Sequence, residues 1–296
     1  MTGPAARVTA QAKINLHLGI LSREDSGFHS IETIFHRIDL ADEIAVHVTD
    51  GERSIDVAGA EVGPAESNLA YRAAVLYAAQ SGWPAGFRIE LVKHIPAGAG
   101  LGGGSADAGA VLRALDMLSP NPMGSHTLLQ IAGKLGSDVP FLTDTSVMAL
   151  AWSRGDRMLG LPALPRRDLL LMIPEFAVST ADAYRWLDED RAAQSVSYRT
   201  EPSIFTMREL SDWAAIARFA CNDFEAPVVA RHPAIGELLG ILRRSRSLFA
   251  QMSGSGSTIY GVLDGPAQYA KVPEEYRERV RTSATSIDVL QPMRIE

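Results

Sequence analysis

The chain has 296 residues, of which 46% are hydrophobic, and its 28 Lys and Arg residues against 35 Asp and Glu residues give a formal net charge of −7. This acidic balance argues against general nucleic-acid binding, which needs a broad basic face, and no apolar run approaches the roughly 18 residues of a membrane span. A single cysteine excludes an internal disulfide and a cysteine-based zinc site, so we expect a soluble cytoplasmic protein without nucleic-acid or membrane partners.

The first predicted element is a β-strand over residues 7–20, in which polar and apolar residues alternate. The even positions are apolar, so one face of this strand is expected to be buried. The odd positions bring Lys13, Asn15 and His17 together on the opposite, polar face.

The rest of the N-terminal half is predicted to mix strands and helices around a glycine-rich loop. Alternation predicts strands over residues 28–40, 43–48 and 87–93, and helical spacing of apolar residues predicts helices over residues 67–79, 106–118 and 125–135. The loop, residues 96–105, lies directly before one of these helices. Glycine permits close backbone approach, and the free N–H groups of a first helical turn can bind a phosphate.

Three interpretations of this loop compete. A Walker A loop requires a lysine, and none lies between Gly98 and Ser105. Gly98, Gly100 and Gly103 fit the dinucleotide pattern G-x-G-x-x-G, but Lys93 and Pro96 precede them where a buried strand should run, and no acidic strand end follows about 20 residues later. The third interpretation is a plain surface turn. Five glycines within seven residues, directly before a helix, favour a phosphate-binding loop.

The C-terminal half begins after a stretch, residues 159–167, that contains one glycine and two prolines. We place a domain crossing there, because a length of 296 residues predicts two domains at roughly 100–200 residues each; they would span residues 1–158 and 159–296. Predicted strands cover residues 168–173, 248–252, 258–263 and 287–290, and predicted helices cover residues 179–187, 207–220, 234–243 and a stretch from 274. The irregular alternation predicts an α+β fold with mixed or antiparallel sheets packed by helices.

The glycine-rich loop at residues 96–105 closely resembles the ATP-binding loop of the GHMP kinase superfamily, which includes galactokinase, homoserine kinase and mevalonate kinase. A second glycine loop at residues 252–257 and the segment at residues 136–141 resemble the same superfamily. The resemblance covers nearly the whole chain and implies a two-domain GHMP kinase fold.

Three further segments, residues 12–16, 26–29 and 38–42, are similar to the branch of this superfamily that phosphorylates a cytidine diphosphate-linked methylerythritol on the non-mevalonate route to isoprenoid precursors. Two positions depart from the usual pattern. Ala106 follows Ser105 where a second serine is usual, and Phe28 stands where a tyrosine is usual.

The resemblance implies two catalytic residues. Asp138 would be the base that takes the proton of the acceptor hydroxyl, and Lys13 would lie beside it, keeping its carboxylate ionised and orienting the hydroxyl. Without the resemblance, an aspartate after Gly-Ser would be expected to cap a helix, and a lone strand lysine to be solvated.

The resemblance also implies binding residues. The nucleotide would be bound by Pro96, Ala97, Gly98, Ala99, Gly100, Leu101, Gly102, Gly103, Gly104, Ser105, Ala106 and Asn68. The acceptor would be bound by Asn15, Phe28, His29, Tyr184, Gly254 and Ser255. Phe28 and Tyr184 could stack on the cytosine while His29 bonds its polar edge. The alternatives are a helix cap for Asn68 and core packing for Phe28.

These observations predict an ATP-dependent kinase that phosphorylates the 2-hydroxyl group of the cytidine diphosphate-linked methylerythritol. Mg²⁺ is expected with the ATP; Ser105 is a candidate ligand, and no residue is assigned as a metal site. The alternatives are a GHMP kinase for another small alcohol and a non-catalytic ATP-binding relative.

Overall fold

The computed structural model describes residues 3–60, 63–194, 197–198, 201–203, 205–267 and 272–295. The first half contains β1 (Ala5–Arg23), β2 (His29–Thr49), β3 (Arg53–Ala58), α1 (Leu69–Ser81), β4 (Gly86–Val92), α2 (Gly103–Leu118), α3 (Ser125–Gly133), α4 (Val139–Thr143), β5 (Met148–Ser153) and β6 (Arg157–Leu161). The second half contains β7 (Asp168–Met172), α5 (Thr180–Ala193), α6 (Trp213–Phe219), α7 (Glu225–Arg231), α8 (Pro233–Arg243), β8 (Ser247–Met252), β9 (Ile259–Leu263), β10 (Val280–Ala284) and β11 (Met293–Ile295).

The described strands form two sheets. A seven-stranded sheet has the order β11-β1-β2-β4-β3, with β5 paired to β2 and β6 paired to β5, and a four-stranded sheet has the order β10-β7-β9-β8. Pairing is antiparallel except between β3 and β4, which run parallel. The predicted α+β class with mixed and antiparallel sheets is therefore confirmed. The strand β11, from the end of the chain, pairs with β1 in the first sheet.

The even-numbered apolar residues of β1 from Ala6 to Leu16 pack into one core with α1 and α2, as the alternation predicts. The α2 helix approaches α4 very closely, because a Cβ atom at Gly109 would lie 2.4 Å from the carbonyl oxygen of Leu142. A second hydrophobic cluster lies between the four-stranded sheet and helices α5, α7 and α8, and Leu18 and Ile20 of β1 extend into it. The long strand β1 thus contributes to both cores.

The prediction that β1 has only one buried face is wrong. Lys13, Asn15 and His17 are 2–3% exposed. The reason is that the C-terminal part of the chain covers the polar face: Gln251 and Tyr260 each donate a hydrogen bond of 2.6 Å to the carbonyl oxygen of Asn15. Such coverage depends on residues more than 200 positions away, at sequence separations of 236 and 245.

Other boundaries also differ from the predictions. Helix α5 extends to Ala193, α7 was not predicted, and no strand forms over residues 287–290, where Ile287 and Leu290 are each 49% exposed. An exposed apolar pair gains little from pairing in a strand, and the chain instead adds β11 to the first sheet. Within the described ranges, no helix has both the length and the hydropathy needed to cross a membrane.

Candidate active site

A cleft of about 630 Å³ lies where the two glycine loops, β1 and the start of α4 meet. The residues that line it from the predicted site are Lys13, Asn15, Pro96, Ala97, Gly98, Ala99, Gly100, Gly102, Gly103, Gly104, Ser105, Asp138, Tyr184, Gly254 and Ser255. Segments from both halves of the chain therefore supply one cleft, and most of the predicted residues are brought together there.

The first glycine loop is held against the second by backbone contacts. Gly100 has a φ of +79°, and a Cβ atom there would lie 2.1 Å from the carbonyl oxygen of Ser253. The Ser253 hydroxyl donates a 2.8 Å hydrogen bond to the carbonyl oxygen of Gly100, and the Thr258 N–H donates one of 3.1 Å to Ala99. Glycine at this position is thus required by the packing of one loop on the other, in addition to any approach of a ligand.

Helix α2 begins directly after this loop. Its N-cap is Gly102, with a φ of +72° and no capping side chain, so the N–H groups of the first turn keep their capacity to bind an anion. A Cβ atom at Gly102 would lie 3.1 Å from the Cε atom of Lys13, and the Lys13 N–H donates a 3.0 Å hydrogen bond to the carbonyl oxygen of Leu101. The loop and the lysine are therefore fixed relative to each other.

The second glycine loop is supported by Asn222. Its side-chain Nδ2 donates hydrogen bonds to the carbonyl oxygens of Met252 at 2.7 Å and Gly254 at 2.8 Å. The hydroxyls of Ser255 and Thr180 lie 2.9 Å apart, which ties the loop to the start of α5. Asn222 and Thr180 were not singled out in the sequence, because neither lies in a recognisable motif.

Lys13 and Asp138 lie side by side in the cleft. The Lys13 Nζ atom is 3.3 Å from Oδ2 of Asp138 and donates a 2.8 Å hydrogen bond to Oδ1 of Asn15. Asn15 in turn donates to the Thr33 hydroxyl at 2.8 Å. Asp138 is the N-cap residue of α4, but its side chain makes no cap hydrogen bond. Asp138 thus occupies the cap position without capping the helix through its side chain, and its carboxylate, 29% exposed, faces the cleft beside an ammonium group.

A buried charge cluster lies at the root of the first glycine loop. The Lys93 ammonium group pairs with the carboxylates of Asp42 and Asp107, the latter at 2.6 Å. Oδ1 of Asp42 also accepts hydrogen bonds from the N–H groups of His94 and Ile95. Burial raises the pKa of Asp107 against the opposing effect of Lys93. The cluster joins β2, β4 and α2, and it fixes the chain on both sides of the loop.

A second cleft of about 990 Å³ adjoins the first, and Ser137, Thr180 and Tyr184 line both. Phe28 and His29 lie here. His29 stacks on Tyr184, with ring centroids 4.4 Å apart and an interplanar angle of 19°.

Phe28 projects from its loop with 57% of its surface exposed, so the core-packing alternative for this residue is wrong.

Nε2 of His29 lies 2.9 Å from Oδ1 of Asp188. Burial, together with the charges of Asp138 and Asp188, raises the pKa of Tyr184 to about 12.

His17 is the third of the β1 residues predicted to share the polar face, and it lines neither cleft. Its Nε2 atom lies 3.0 Å from Oε1 of Glu32, and both side chains are 3% exposed. Burial lowers the pKa of His17, but hydrogen bonds with Cys221 and Glu32 outweigh it and raise the pKa to about 9. Burial raises the pKa of Glu32, but hydrogen bonds from His17 and Ser203 lower it to about 2. The pair forms a buried ionic link behind the cleft.

Three predicted nucleotide-binding residues are placed differently. Leu101 and Ala106 are each 1% exposed and point into the core, so they do not line the cleft. Asn68 is the N-cap of α1, and its side chain accepts a hydrogen bond from the Ala70 N–H at 2.9 Å. The structure supports the cap alternative for Asn68.

The first glycine loop is therefore not a plain surface turn. A glycine loop and an uncapped helix start can bind phosphates, and a carboxylate paired with a lysine lies in the same cleft. An aromatic and histidine cluster lines the adjoining cleft. Together these groups can bind a phosphorylated nucleotide, accept a proton and bind a planar ring.

Family models match both halves of the chain. The one described as GHMP kinases N terminal domain matches residues 68–145, and the one described as GHMP kinases C terminal matches residues 206–281.

Curated relatives are similar over nearly the whole chain. A 4-diphosphocytidyl-2-C-methyl-D-erythritol kinase of Pelotomaculum thermopropionicum is 37% identical over 273 residues, which cover 90% of this chain and 92% of the relative. A kinase of the same name from Chloroherpeton thalassium is 34% identical over 280 residues, covering 94% and 96%.

Solved structures share the fold. A crystal structure of 4-(cytidine 5′-diphospho)-2C-methyl-D-erythritol kinase superposes with a TM-score of 0.76 at 34% identity, covering 94% of this chain and 98% of that chain. The Methanococcus jannaschii mevalonate kinase has a TM-score of 0.63 at 10% identity, covering 95% and 98%, and this likeness concerns the fold alone.

Proposed function

The chain belongs to the GHMP kinase family, and from this membership we propose that it transfers the γ-phosphoryl group of ATP to the 2-hydroxyl group of 4-diphosphocytidyl-2-C-methyl-D-erythritol. It is an ATP-dependent small-molecule kinase, and its curated relatives carry the name of this substrate. Synthesis of isoprenoid precursors is the pathway that the relatives imply. A cytoplasmic location and a division into domains at residues 158 and 159 stay predictions from the sequence.

The observation that carries the proposal is the Lys13–Asp138 pair, 3.3 Å apart, in a cleft that a glycine loop lines and that adjoins the cleft with the aromatic cluster. Phosphoryl transfer needs alignment, neutralisation of charge and a group that takes the hydroxyl proton. The acceptor oxygen forms a bond to the γ-phosphorus as the bond between that phosphorus and the ADP oxygen breaks. The hydroxyl proton passes to Asp138.

Lys13 has two functions in this scheme. Its ammonium group pairs with the Asp138 carboxylate at 3.3 Å and attracts the acceptor oxygen toward the phosphorus. Asn15 holds the lysine in place through a 2.8 Å hydrogen bond, so the geometry exists before substrates bind.

The adjoining cleft would bind the cytidine part of the acceptor. Phe28 offers an exposed ring for stacking, and the stacked His29 and Tyr184 form another part of the lining. The contact between Nε2 of His29 and Oδ1 of Asp188 holds the imidazole ring, and it therefore sets the direction of the other ring nitrogen, Nδ1. Gly254 and Ser255, in the first cleft, would contact the acceptor near its phosphates.

Mg²⁺ is expected with the ATP, where it would neutralise phosphate charge. The Ser105 hydroxyl fits this ion, because it lines the cleft and hard oxygen donors suit Mg²⁺. Proteins usually hold Mg²⁺ through one or two such groups together with substrate phosphates.

The test is ADP release by the purified protein with ATP and one acceptor at a time: 4-diphosphocytidyl-2-C-methyl-D-erythritol, mevalonate, homoserine or galactose. We expect ADP release with the cytidine compound and its loss in Asp138→Asn. Release with a different acceptor would keep the kinase activity but reject the assigned acceptor. ATP binding without turnover of any acceptor would favour a non-catalytic relative.

A further inference from the structure

The turn between β5 and β6, residues 154–156, reaches across to the loop that carries Phe28. The Arg154 guanidinium lies over the Phe28 ring, 4.2 Å from its centroid. The same guanidinium forms an ion pair with Glu24 and lies 3.4 Å from the Ser26 hydroxyl. One side chain therefore contacts the Phe28 ring and two other residues of its loop.

The Phe28 loop has a defined backbone but no support for its ring from the core. The Glu24 N–H donates a 2.7 Å hydrogen bond to the carbonyl oxygen of Phe28, and the Gly27 N–H donates one of 2.9 Å back to Glu24. The Phe28 side chain is 57% exposed, and no aromatic ring of the described residues stacks on it. The orientation of the ring thus depends on the contact with Arg154.

The turn that carries Arg154 is itself fixed to the catalytic part of the cleft. Gly155 has a φ of +89°, and a Cβ atom there would lie 3.2 Å from the Cβ atom of Ser137. Ser137 directly precedes Asp138 and lines both clefts. The distance between the ring of Phe28 and the proposed base is therefore set in part by this turn.

We infer that Arg154 is a positioning residue that sets the affinity for the acceptor by holding Phe28 in its binding orientation. The guanidinium covers one face of the ring, which leaves the other face for a planar nucleobase. The inference rests on the proposed function, since it assumes that the acceptor carries such a base. Arg154 acts through Phe28, so its removal changes the KM for the acceptor but leaves the ATP loop and the Lys13–Asp138 pair intact.

The chemistry of arginine matters here. Its planar fork can pair with Glu24 through two nitrogens while its face lies on an aromatic ring. Lysine can supply the cation over the ring but cannot form the two-pronged contact. Arg154→Lys should therefore retain part of the effect, and Arg154→Gln should lose it.

The experiment measures kcat and both KM values by ADP release for the wild type, Arg154→Gln, Arg154→Lys, Phe28→Ala and the double variant Arg154→Gln/Phe28→Ala. We expect Arg154→Gln to raise the KM for 4-diphosphocytidyl-2-C-methyl-D-erythritol by about threefold to fivefold, the scale of one exposed cation–π contact, with a smaller rise in Arg154→Lys. The kcat and the KM for ATP should stay within a factor of about two.

The double variant separates positioning from direct contact. If Arg154 acts through Phe28, the double variant has the same acceptor KM as Phe28→Ala alone. Additive increases would mean that Arg154 binds the acceptor independently, which would overturn the inference. An unchanged acceptor KM in Arg154→Gln, or an equal loss in every kinetic parameter, would overturn it as well.

Two controls complete the design. Arg88→Gln removes a half-exposed arginine that pairs with Glu90 on β4, and it should leave all kinetic parameters unchanged. Thermal unfolding midpoints establish that each variant is folded. Failure of the proposed function gives a different result, because the wild type itself would then release no ADP with the cytidine acceptor.

Discussion

The first glycine loop and the Phe28 loop face adjoining clefts, yet they are held by opposite kinds of interaction. At the root of the glycine loop, Asp42, Lys93 and Asp107 are 0%, 8% and 2% exposed, and their charges are paired away from water. At the Phe28 loop, the side chains of Arg154 and Glu24 are 45% and 35% exposed.

This difference separates stability from binding. Removing one partner from a buried ion pair leaves an uncompensated charge in the protein, which costs several kcal/mol of folding free energy. An exposed ion pair contributes about 0–1 kcal/mol, so its loss is scarcely visible in stability. We therefore expect substitutions on the nucleotide side to lower the free energy of unfolding, and substitutions on the acceptor side to raise the KM for the acceptor.

The largest effect is expected where the two sides meet, at Asp138. Asp138→Asn removes the proton acceptor but keeps the size of the side chain, so kcat should fall by roughly 10² to 10⁴. Thermal unfolding is measured as well, because the substitution leaves the ammonium group of Lys13, whose side chain is 4% exposed, without its carboxylate partner. The measurement is ADP release at saturating substrates.

Asp264→Asn is the matched control, since its side chain is 66% exposed and lines neither cleft. It should retain the wild-type kcat. An Asp138→Asn enzyme with nearly normal kcat would show that the proton goes elsewhere.

The next effect is expected at the root of the glycine loop. Asp42→Ala removes a carboxylate that pairs with Lys93 and accepts two backbone N–H groups, and it should lower the free energy of unfolding by about 3 to 5 kcal/mol. Chemical denaturation measures this loss. We also expect the KM for ATP to rise more than the KM for the acceptor.

Asp39→Ala tests the same comparison with an exposed carboxylate from the same strand, which pairs with Arg166 and is 37% exposed. Its loss of stability should stay near or below about 1 kcal/mol. Equal losses in the two variants would contradict the distinction between a buried and an exposed charge.

The His17–Glu32 pair shows that a buried ion pair also exists behind the acceptor side. Because both groups titrate, the pH dependence of stability tests the comparison between buried and exposed ion pairs. The pKa of His17 is raised from 6.5 to about 9, so its stabilisation is complete below pH 6.5 and is lost as pH rises through about 9. The pKa of Glu32 is lowered from 4.5 to about 2, so its stabilisation is present above pH 4.5 and is lost as pH falls toward 2.

Glu32→Gln should therefore lose stability most between about pH 4.5 and 6.5, by about 2 to 3 kcal/mol, and progressively less as pH approaches 9. Denaturation at several pH values measures the difference from wild type. Asp264→Asn, in an exposed pair with Arg167, should show a small difference with no such window. If the difference in unfolding free energy between wild type and Glu32→Gln did not vary with pH, the His17–Glu32 pair would not be ionic in the folded protein.

The smallest effect in free energy is expected at Phe28. Phe28→Ala should raise the KM for the acceptor by about tenfold, through loss of one stacking ring, while the KM for ATP and the unfolding midpoint stay close to wild type. The control is Ile287→Ala, a half-exposed apolar side chain that lines neither cleft. A large loss of stability in Phe28→Ala would show that this ring is structural after all.

Several features of this protein follow from the sequence alone. The alternation in β1, the helix after the glycine loop and the start of α5 near residue 179 depend on neighbouring residues, and each lies near its predicted position. Local spacing determines them because backbone conformation and side-chain direction repeat over two to four residues. The chemistry of Lys13 and Asp138, and their proximity, are implied by the resemblance of their motifs to the GHMP kinase superfamily and not by local spacing.

Tertiary structure decided which of these residues share an environment. The Asp138 side chain pairs with Lys13 and leaves the helix uncapped, and Arg154 lies on Phe28. Each outcome depends on segments that are distant in the chain, so no local pattern contains it. Asp42 and Lys93, at a sequence separation of 51, form an ion pair because β2 and β4 pair in the sheet. The sequence determined the elements and the reactive groups, and the packing of those elements determined the partners of each group.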